Sequence, residues 1–121
     1  MSWNLDSDRP VFIQIIEHIE LEIVSGKLPP GSRVASVREL AADASVNPNT
    51  MQRALSELER MGLMRTERTS GRYITDDNKM IDDLKHELAE KKTEAYLNDM
   101  AQLGLDRTQI ISIIDENKKE S

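Results

Sequence analysis

The stretch from Ser36 to Arg60 constrains this chain more than any other, because its punctuation leaves room for two short helices joined by a tight turn. Ser36 stands three residues before Glu39, the capping-box spacing in which a hydroxyl accepts one backbone N–H and the glutamate accepts another. A helix that begins there carries Leu40 and Ala41 inward and runs out near Ala44-Ser45. Asn47-Pro48 restarts the chain: asparagine is a favoured N-cap, and proline at the first helical position gives up only an N–H that has no helical partner. Met51, Ala54, Leu55, Leu58 and Met61 then recur at helical spacing, which buries one stripe and turns Asn49, Gln52, Arg53, Ser56 and Arg60 outward. This is the layout of a helix-turn-helix.

The outward face carries the chemistry of base and phosphate recognition. Asn and Gln match the N6/N7 edge of adenine, Arg and Thr reach guanine or phosphate, and the first turn of a helix offers unpaired N–H groups to anions. A solvated face on an ordinary helix has the same composition, so the flanking elements decide. Upstream, residues 1–10 read as a polar extended arm that lays Trp3 or Leu5 on a neighbouring surface. Pro10 opens a scaffold helix to about Ser25, with Val11, Phe12, Ile15, Ile16, Ile19, Ile23 and Val24 as a broad apolar stripe. Gly26 ends it, Leu28-Pro29-Pro30-Gly31 cannot continue it, and Arg33-Val34-Ala35 is a short extended lead into Ser36. Downstream, Gly62 supplies a left-handed cap, Leu63-Met64-Arg65-Thr66 reads as a strand, residues 67–71 as a turn and Arg72-Tyr73-Ile74-Thr75 as a returning strand. Three helices followed by a hairpin with arginine at its tip is the order of a winged helix, here residues 1–75. Arg65, Arg68 and Arg72 on such a wing can follow phosphates or enter a minor groove; without a partner they form only an exposed basic hairpin.

The chain has a formal net charge of −6, which opposes nucleic acid until its distribution is considered. Residues 28–75 hold seven arginines against five acids, whereas residues 76–121 hold seven basic residues against twelve acidic ones. In the positive stretch every basic residue is arginine, whose planar fork suits phosphate and guanine. There is no cysteine, which excludes disulfides and thiol catalysis, and the two histidines are isolated. His18 is expected to be structural, and no catalytic constellation or glycine-rich phosphate loop is visible, so no enzyme and no cofactor are expected. Asp82, Asp83 and His86 have a spacing a metal could use, but a solvated helix start explains them and no metal is assigned. No secretory signal or membrane-length apolar run is present, and a cytoplasmic protein is expected.

From Asp76 the composition changes. Asp76, Asp77, Asp82 and Asp83 favour a helix N-terminus, and Met80, Ile81, Leu84, Leu88, Ala95, Tyr96, Met100 and Leu103 mark a long helix with one apolar side. Lys91-Lys92 interrupts that side and argues against a continuous coiled coil. Leu103-Gly104-Leu105 closes the helix, Asp106 and Gln109 form a second capping box, and Ile110, Ile111, Ile113 and Ile114 crowd the last helix. Two amphipathic helices of this size cannot bury such a stripe alone, so residues 76–121 are expected to bury Ile81, Leu84, Leu88, Tyr96, Met100, Leu103 and these four isoleucines in a homodimer. The fold class expected is thus α+β, mainly α: an N-terminal winged helix-turn-helix with a short two-helix dimerisation tail. The tail leaves little room for a private pocket, so any small-molecule effector is expected between domains or subunits.

Pro10-Val11-Phe12 with Gln14-Ile15, then Gly26-Lys27-Leu28-Pro29-Pro30-Gly31, Ser36-Val37-Arg38-Glu39-Leu40-Ala41, Val46-Asn47-Pro48-Asn49-Thr50 and Arg53-Ala54-Leu55 resemble, in order and spacing over residues 5–75, the winged-helix domain of the GntR family of bacterial transcription regulators. The short tail and the Asn-Pro-Asn-Thr spelling are similar to its YtrA subfamily. The resemblance implies a homodimer on a palindromic operator, usually a repressor, often of its own operon and of ABC-transporter genes. It also implies DNA contacts from Arg38, from Asn47, Asn49 and Thr50, from Gln52 and Arg53, and from Gly71. The chain departs from the family at Pro48, where some members have Arg, at Val34-Ala35-Ser36 in place of Leu-Pro-Ser, and at Gly71-Arg72-Tyr73-Ile74 in place of Gly-Thr-Phe-Val. These departures bear on the operator sequence.

Taken together, Arg33, Arg38, Arg65, Arg68 and Arg72 are assigned to the DNA backbone, and Asn49, Thr50, Gln52 and Arg53 to base edges or phosphate. Ser36, Asn47, Ser70 and Gly71, at the helix starts and the wing turn, complete the candidate contacts. Helix 47–61 is expected in the major groove and wing 63–75 on the flanking backbone or minor groove of double-stranded DNA. The competing reading is a winged-helix adaptor that binds protein through its isoleucine-rich tail.

Overall fold

The structure, a computed structural model, describes residues 3–117; Met1 and Ser2 of the expected arm and tail residues 118–121 lie outside them. The element order is α1 (Val11–Val24), α2 (Val37–Ala44), α3 (Pro48–Arg60), β1 (Met64–Glu67), β2 (Gly71–Ile74), α4 (Asn78–Gln102) and α5 (Arg107–Glu116). The chain divides into two compact units, Met1–Lys85 and His86–Ser121, so the first unit runs past the expected boundary at 75 into α4.

In the first unit α1 is rich in β-branched residues, which favour a helix weakly, so packing must hold it. Ile15, Ile19 and Ile23, one turn apart, are almost completely buried, while Val11, expected in the same stripe, remains exposed at the helix start. The capping box of α2 forms as its spelling requires: Glu39 N–H donates to Ser36 Oγ at 3.1 Å and Ser36 N–H to Glu39 Oε1 at 3.3 Å. Ser45 adopts a left-handed conformation (φ 57°) that turns the chain, and Asn47 Oδ1 accepts from Asn49 N–H at 2.7 Å to start α3. Met51, Ala54, Leu55 and Leu58 are fully buried where α3 packs on α1, α2 and β1. Met61 departs from the expected stripe: α3 ends at Arg60, and Met61, its C-cap, sits off the buried side at 36% exposure.

β1 and β2 pair antiparallel with Met64 opposite Ile74 and Thr66 opposite Arg72, around a tip at residues 68–70. The lead into α2 adds to this hairpin. Val34 N–H donates to Arg72 C=O and Ile74 N–H to Ser32 C=O, each at 2.9 Å, and Arg33 bridges Tyr73. The wing is therefore paired along its inner edge to the residues just before α2. Gly62 (φ 87°) makes the turn from α3 to β1, and a Cβ there would stand 3.1 Å from Met80 Cε of α4. The same end of α4 buries Ile81 and Leu84, and its start is capped by Asp77 Oδ1, which accepts from Met80 N–H.

The N-terminal arm is fixed by two interactions with α1. Gln14, only 5% exposed, donates to the carbonyls of Asp6 and Arg9 and accepts from Asp6 N–H. Trp3, one of the two arm residues expected to dock, stacks on His18 with ring centroids 4.0 Å apart. Burial pushes the His18 imidazole below its ordinary value, against the opposing pull of Glu22, whose Oε1 lies 3.3 Å from Nε2.

In the second unit the rest of α4 turns at Gly104 (φ 82°) into α5, which opens on the Asp106–Gln109 capping box. Ile110 is buried; Leu88 and Met100 are half-buried; Tyr96, Leu103, Ile111, Ile113 and Ile114 are exposed. Of the expected interface residues, Ile81, Leu84 and Ile110 are therefore already covered within the chain.

Two outcomes follow. Leu55→Ala, which removes a fully buried side chain from α3, should lower stability by roughly 2–5 kcal/mol in urea denaturation. Because the folded-state His18 falls below its ordinary value of 6.5, the unfolded chain binds more protons as pH falls through that ordinary value, and stability should decline there. His18→Gln should flatten that dependence when unfolding is followed by the fluorescence of Trp3, the single tryptophan.

Candidate nucleic-acid interface

The outward side of α3 shows Asn49, Gln52, Arg53, Ser56 and Arg60 exposed and Thr50 half-exposed, which is what a buried stripe on the opposite side requires. The Gln52 amide donates to Ser56 Oγ at 2.9 Å, one turn on, and the Arg53 guanidinium lies 3.7 Å above the ring centroid of Phe12. Asn47 spends its side-chain carbonyl oxygen on the cap but keeps its amide N–H groups.

A cleft of about 420 Å³ opens between residues 33–35, the start of α2 and the wing. Arg33, Ser36, Glu39, Thr66, Gly71 and Arg72 all line it, so four of the expected contact residues converge there. The absence of a side chain at Gly71 is structural as well as conformational (φ 117°): a Cβ would sit 3.1 Å from Arg33 Nε. Hydrogen bonds from Ser36 hold the Glu39 carboxyl below the usual range, with Arg33 adding to the effect.

The basic residues divide into two groups. Arg38 at the start of α2 and Arg68 at the wing tip are exposed and make no ion pair among the described residues. Ser70 lies beside Arg68 on the same tip, its N–H donating to Glu67 C=O. Arg65 and Arg72 are engaged inside the chain. Arg65 pairs with Glu67 at 3.0 Å and lies over Tyr73, and Arg72 Nε donates to Glu59 Oε1 at 2.5 Å. Thr66, directly opposite Arg72 on the wing, donates to the same Glu59 oxygen at 2.6 Å. Partial burial pushes the Glu59 carboxyl up, but these two hydrogen bonds outweigh it and hold the group below the ordinary carboxylate range. Arg72 is thus a latch between wing and α3 as the chain stands. Sequence spacing carried no signal for this latch, because Glu59 meets Thr66 and Arg72 only after the hairpin folds back along α3.

A helix with a bare polar face, preceded by a capped helix and followed by a basic-tipped wing, defines a winged helix-turn-helix of the DNA-binding class. The chain belongs to the GntR family of bacterial regulatory proteins, whose family model matches residues 13–74. It is 36% identical over 111 residues to the HTH-type transcriptional regulator YhcF of Bacillus subtilis, a match spanning 92% of each chain. It is 41% identical over 73 residues to the HTH-type transcriptional repressor YtrA of the same organism, covering 60% of this chain and 56% of that one. Its fold is similar to that of a GntR family transcriptional regulator from Listeria monocytogenes, with a TM-score of 0.87 and 37% identity over 94% of this chain and all of that one. The chain is accordingly a DNA-binding transcriptional regulator, and its relatives are regulators rather than enzymes. No helix among the described residues is long and apolar enough to cross a membrane.

The latch has a measurable consequence. Glu59→Ala leaves Arg72 without its carboxylate and should cost about 1–3 kcal/mol. Amide hydrogen exchange at Thr66 and Arg72 should accelerate, and Glu59→Gln, which can still accept from Thr66, should lose less.

Proposed function

We propose that this regulator is a cytoplasmic homodimeric repressor that reads a palindromic operator, with α3 in the major groove and the wing on the flanking backbone or minor groove. The observation that carries the reading is the outward face of α3, where Asn49, Gln52 and Arg53 stand exposed, together with the exposed Arg38 and Arg68, which make no ion pair among the described residues. The repressor assignment draws on the likeness to the repressor YtrA; control of its own operon and of ABC-transporter genes is what the sequence resemblance to the YtrA subfamily implies. The exposed Leu103, Ile111, Ile113 and Ile114 support dimerisation, since apolar side chains so concentrated on a small helical unit gain from being covered by a second copy. Two recognition helices in such a dimer meet half-sites about one helical turn, roughly 34–36 Å, apart or a small multiple of it. Arg33, Ser36 and Gly71 hold the backbone where the wing meets α2, and no cofactor enters the reading.

The test is selection of bound duplexes from a random pool, followed by anisotropy titration of the selected duplex and a scrambled one at several salt concentrations. The selected duplex should bind about a thousandfold or more tighter. Gln52→Ala should lose about 1–3 kcal/mol of discrimination at particular base pairs. Arg68→Ala should weaken both duplexes alike and lower the salt slope by about one. Failure to enrich any sequence, with no binding at low salt, would overturn the reading in favour of a protein-binding adaptor.

A further inference from the structure

We infer that Phe12 is a positioning residue for DNA reading: the face of its ring holds the Arg53 guanidinium in the orientation from which that side chain contacts the operator. The inference rests on the proposal that α3 faces DNA. Phe12, the single phenylalanine of the chain, is the second residue of α1 and half-buried, and the packing of α1 on α3 brings its ring under Arg53, 3.7 Å from the guanidinium carbon.

The neighbouring charges make this contact more than incidental packing. Glu57 lies one turn after Arg53 on α3 and is the carboxylate a helix would ordinarily offer it. Yet Arg60 takes Glu57: its Nε donates to both carboxylate oxygens, at 3.1 and 3.0 Å. Arg53 makes no ion pair among the described residues; it feels the Glu57 charge only without direct contact, and its guanidinium rests on an aromatic face. The difference matters chemically. A carboxylate would consume the in-plane N–H groups and neutralise the charge; a ring engages only the flat face of the guanidinium and leaves its five donors and full charge available for bidentate contact with phosphate or guanine. Ordering a long side chain before binding also removes part of the rotamer entropy that association would otherwise lose.

The experiment is a double-mutant cycle on the selected duplex with Phe12→Leu, Arg53→Ala and the pair. Phe12→Leu should weaken binding by about three- to tenfold, the range of a partly exposed cation–π contact. In the Arg53→Ala background the same change should have no further effect. Phe12→Tyr, which keeps the ring, should bind within about twofold of the original chain. Should Phe12→Leu fail to fold, pentafluorophenylalanine at position 12 keeps the size and reverses the ring quadrupole, and should weaken binding by a similar factor. Unchanged binding by Phe12→Leu, or a loss that persists without Arg53, overturns the inference while leaving the regulator reading intact. Absence of any selected sequence for the unmodified chain overturns both.

Discussion

The burial of one side of α3 against α1 is the interaction on which the rest of the molecule depends. Met51, Ala54, Leu55 and Leu58 lose all contact with solvent there, and Ile15, Ile19 and Ile23 lose nearly all. At about 25 cal/mol per Å² of apolar surface removed from water, the isoleucine, leucine and methionine side chains among these each contribute on the order of 2 kcal/mol, which a helix as β-branched as α1 could not obtain from backbone propensity. The same burial fixes the rotation of α3 about its axis. Once the apolar stripe is inward, Asn49, Gln52 and Arg53 have no direction but outward.

What could be read directly from the sequence was whatever depends on local chemistry. Ser36 with Glu39, Asn47 with Pro48, Asp106 with Gln109, and the left-handed glycines at 62 and 104 each act within a few residues, so spacing alone placed the helix ends and turns. The winged architecture followed from their order. Interactions between elements were not legible. The third edge of the wing at residues 32–34, the Glu59 latch and the ring beneath Arg53 each join residues well separated along the chain, and each appears only when the helices and hairpin are packed. Gln14 is intermediate: it belongs to the residues that carried the family resemblance, yet its work of pinning the arm through Asp6 and Arg9 is visible only in three dimensions.

The distribution of charge reconciles an acidic chain with a nucleic-acid partner. Five of the seven arginines in residues 28–75 have a definite neighbour: Arg33 at Gly71, Arg53 on Phe12, Arg60 with Glu57, Arg65 with Glu67, and Arg72 with Glu59. The three pairings with carboxylates, at Arg60, Arg65 and Arg72, offset part of the repulsion among like charges on this surface. Arg38 and Arg68, one at the start of α2 and one at the wing tip, make no ion pair among the described residues. The acidic excess belongs mostly to residues 76–121.

The central claim is that two copies of this fold place two α3 helices in major grooves on one side of a duplex. Hydroxyl-radical footprinting of the selected duplex, combined with the mass of the complex by sedimentation, tests it most directly. The account predicts two chains per duplex and two related protected segments whose centres are separated by a whole number of helical turns. A single chain on a single protected segment, or protection with no repeat between half-sites, would contradict it.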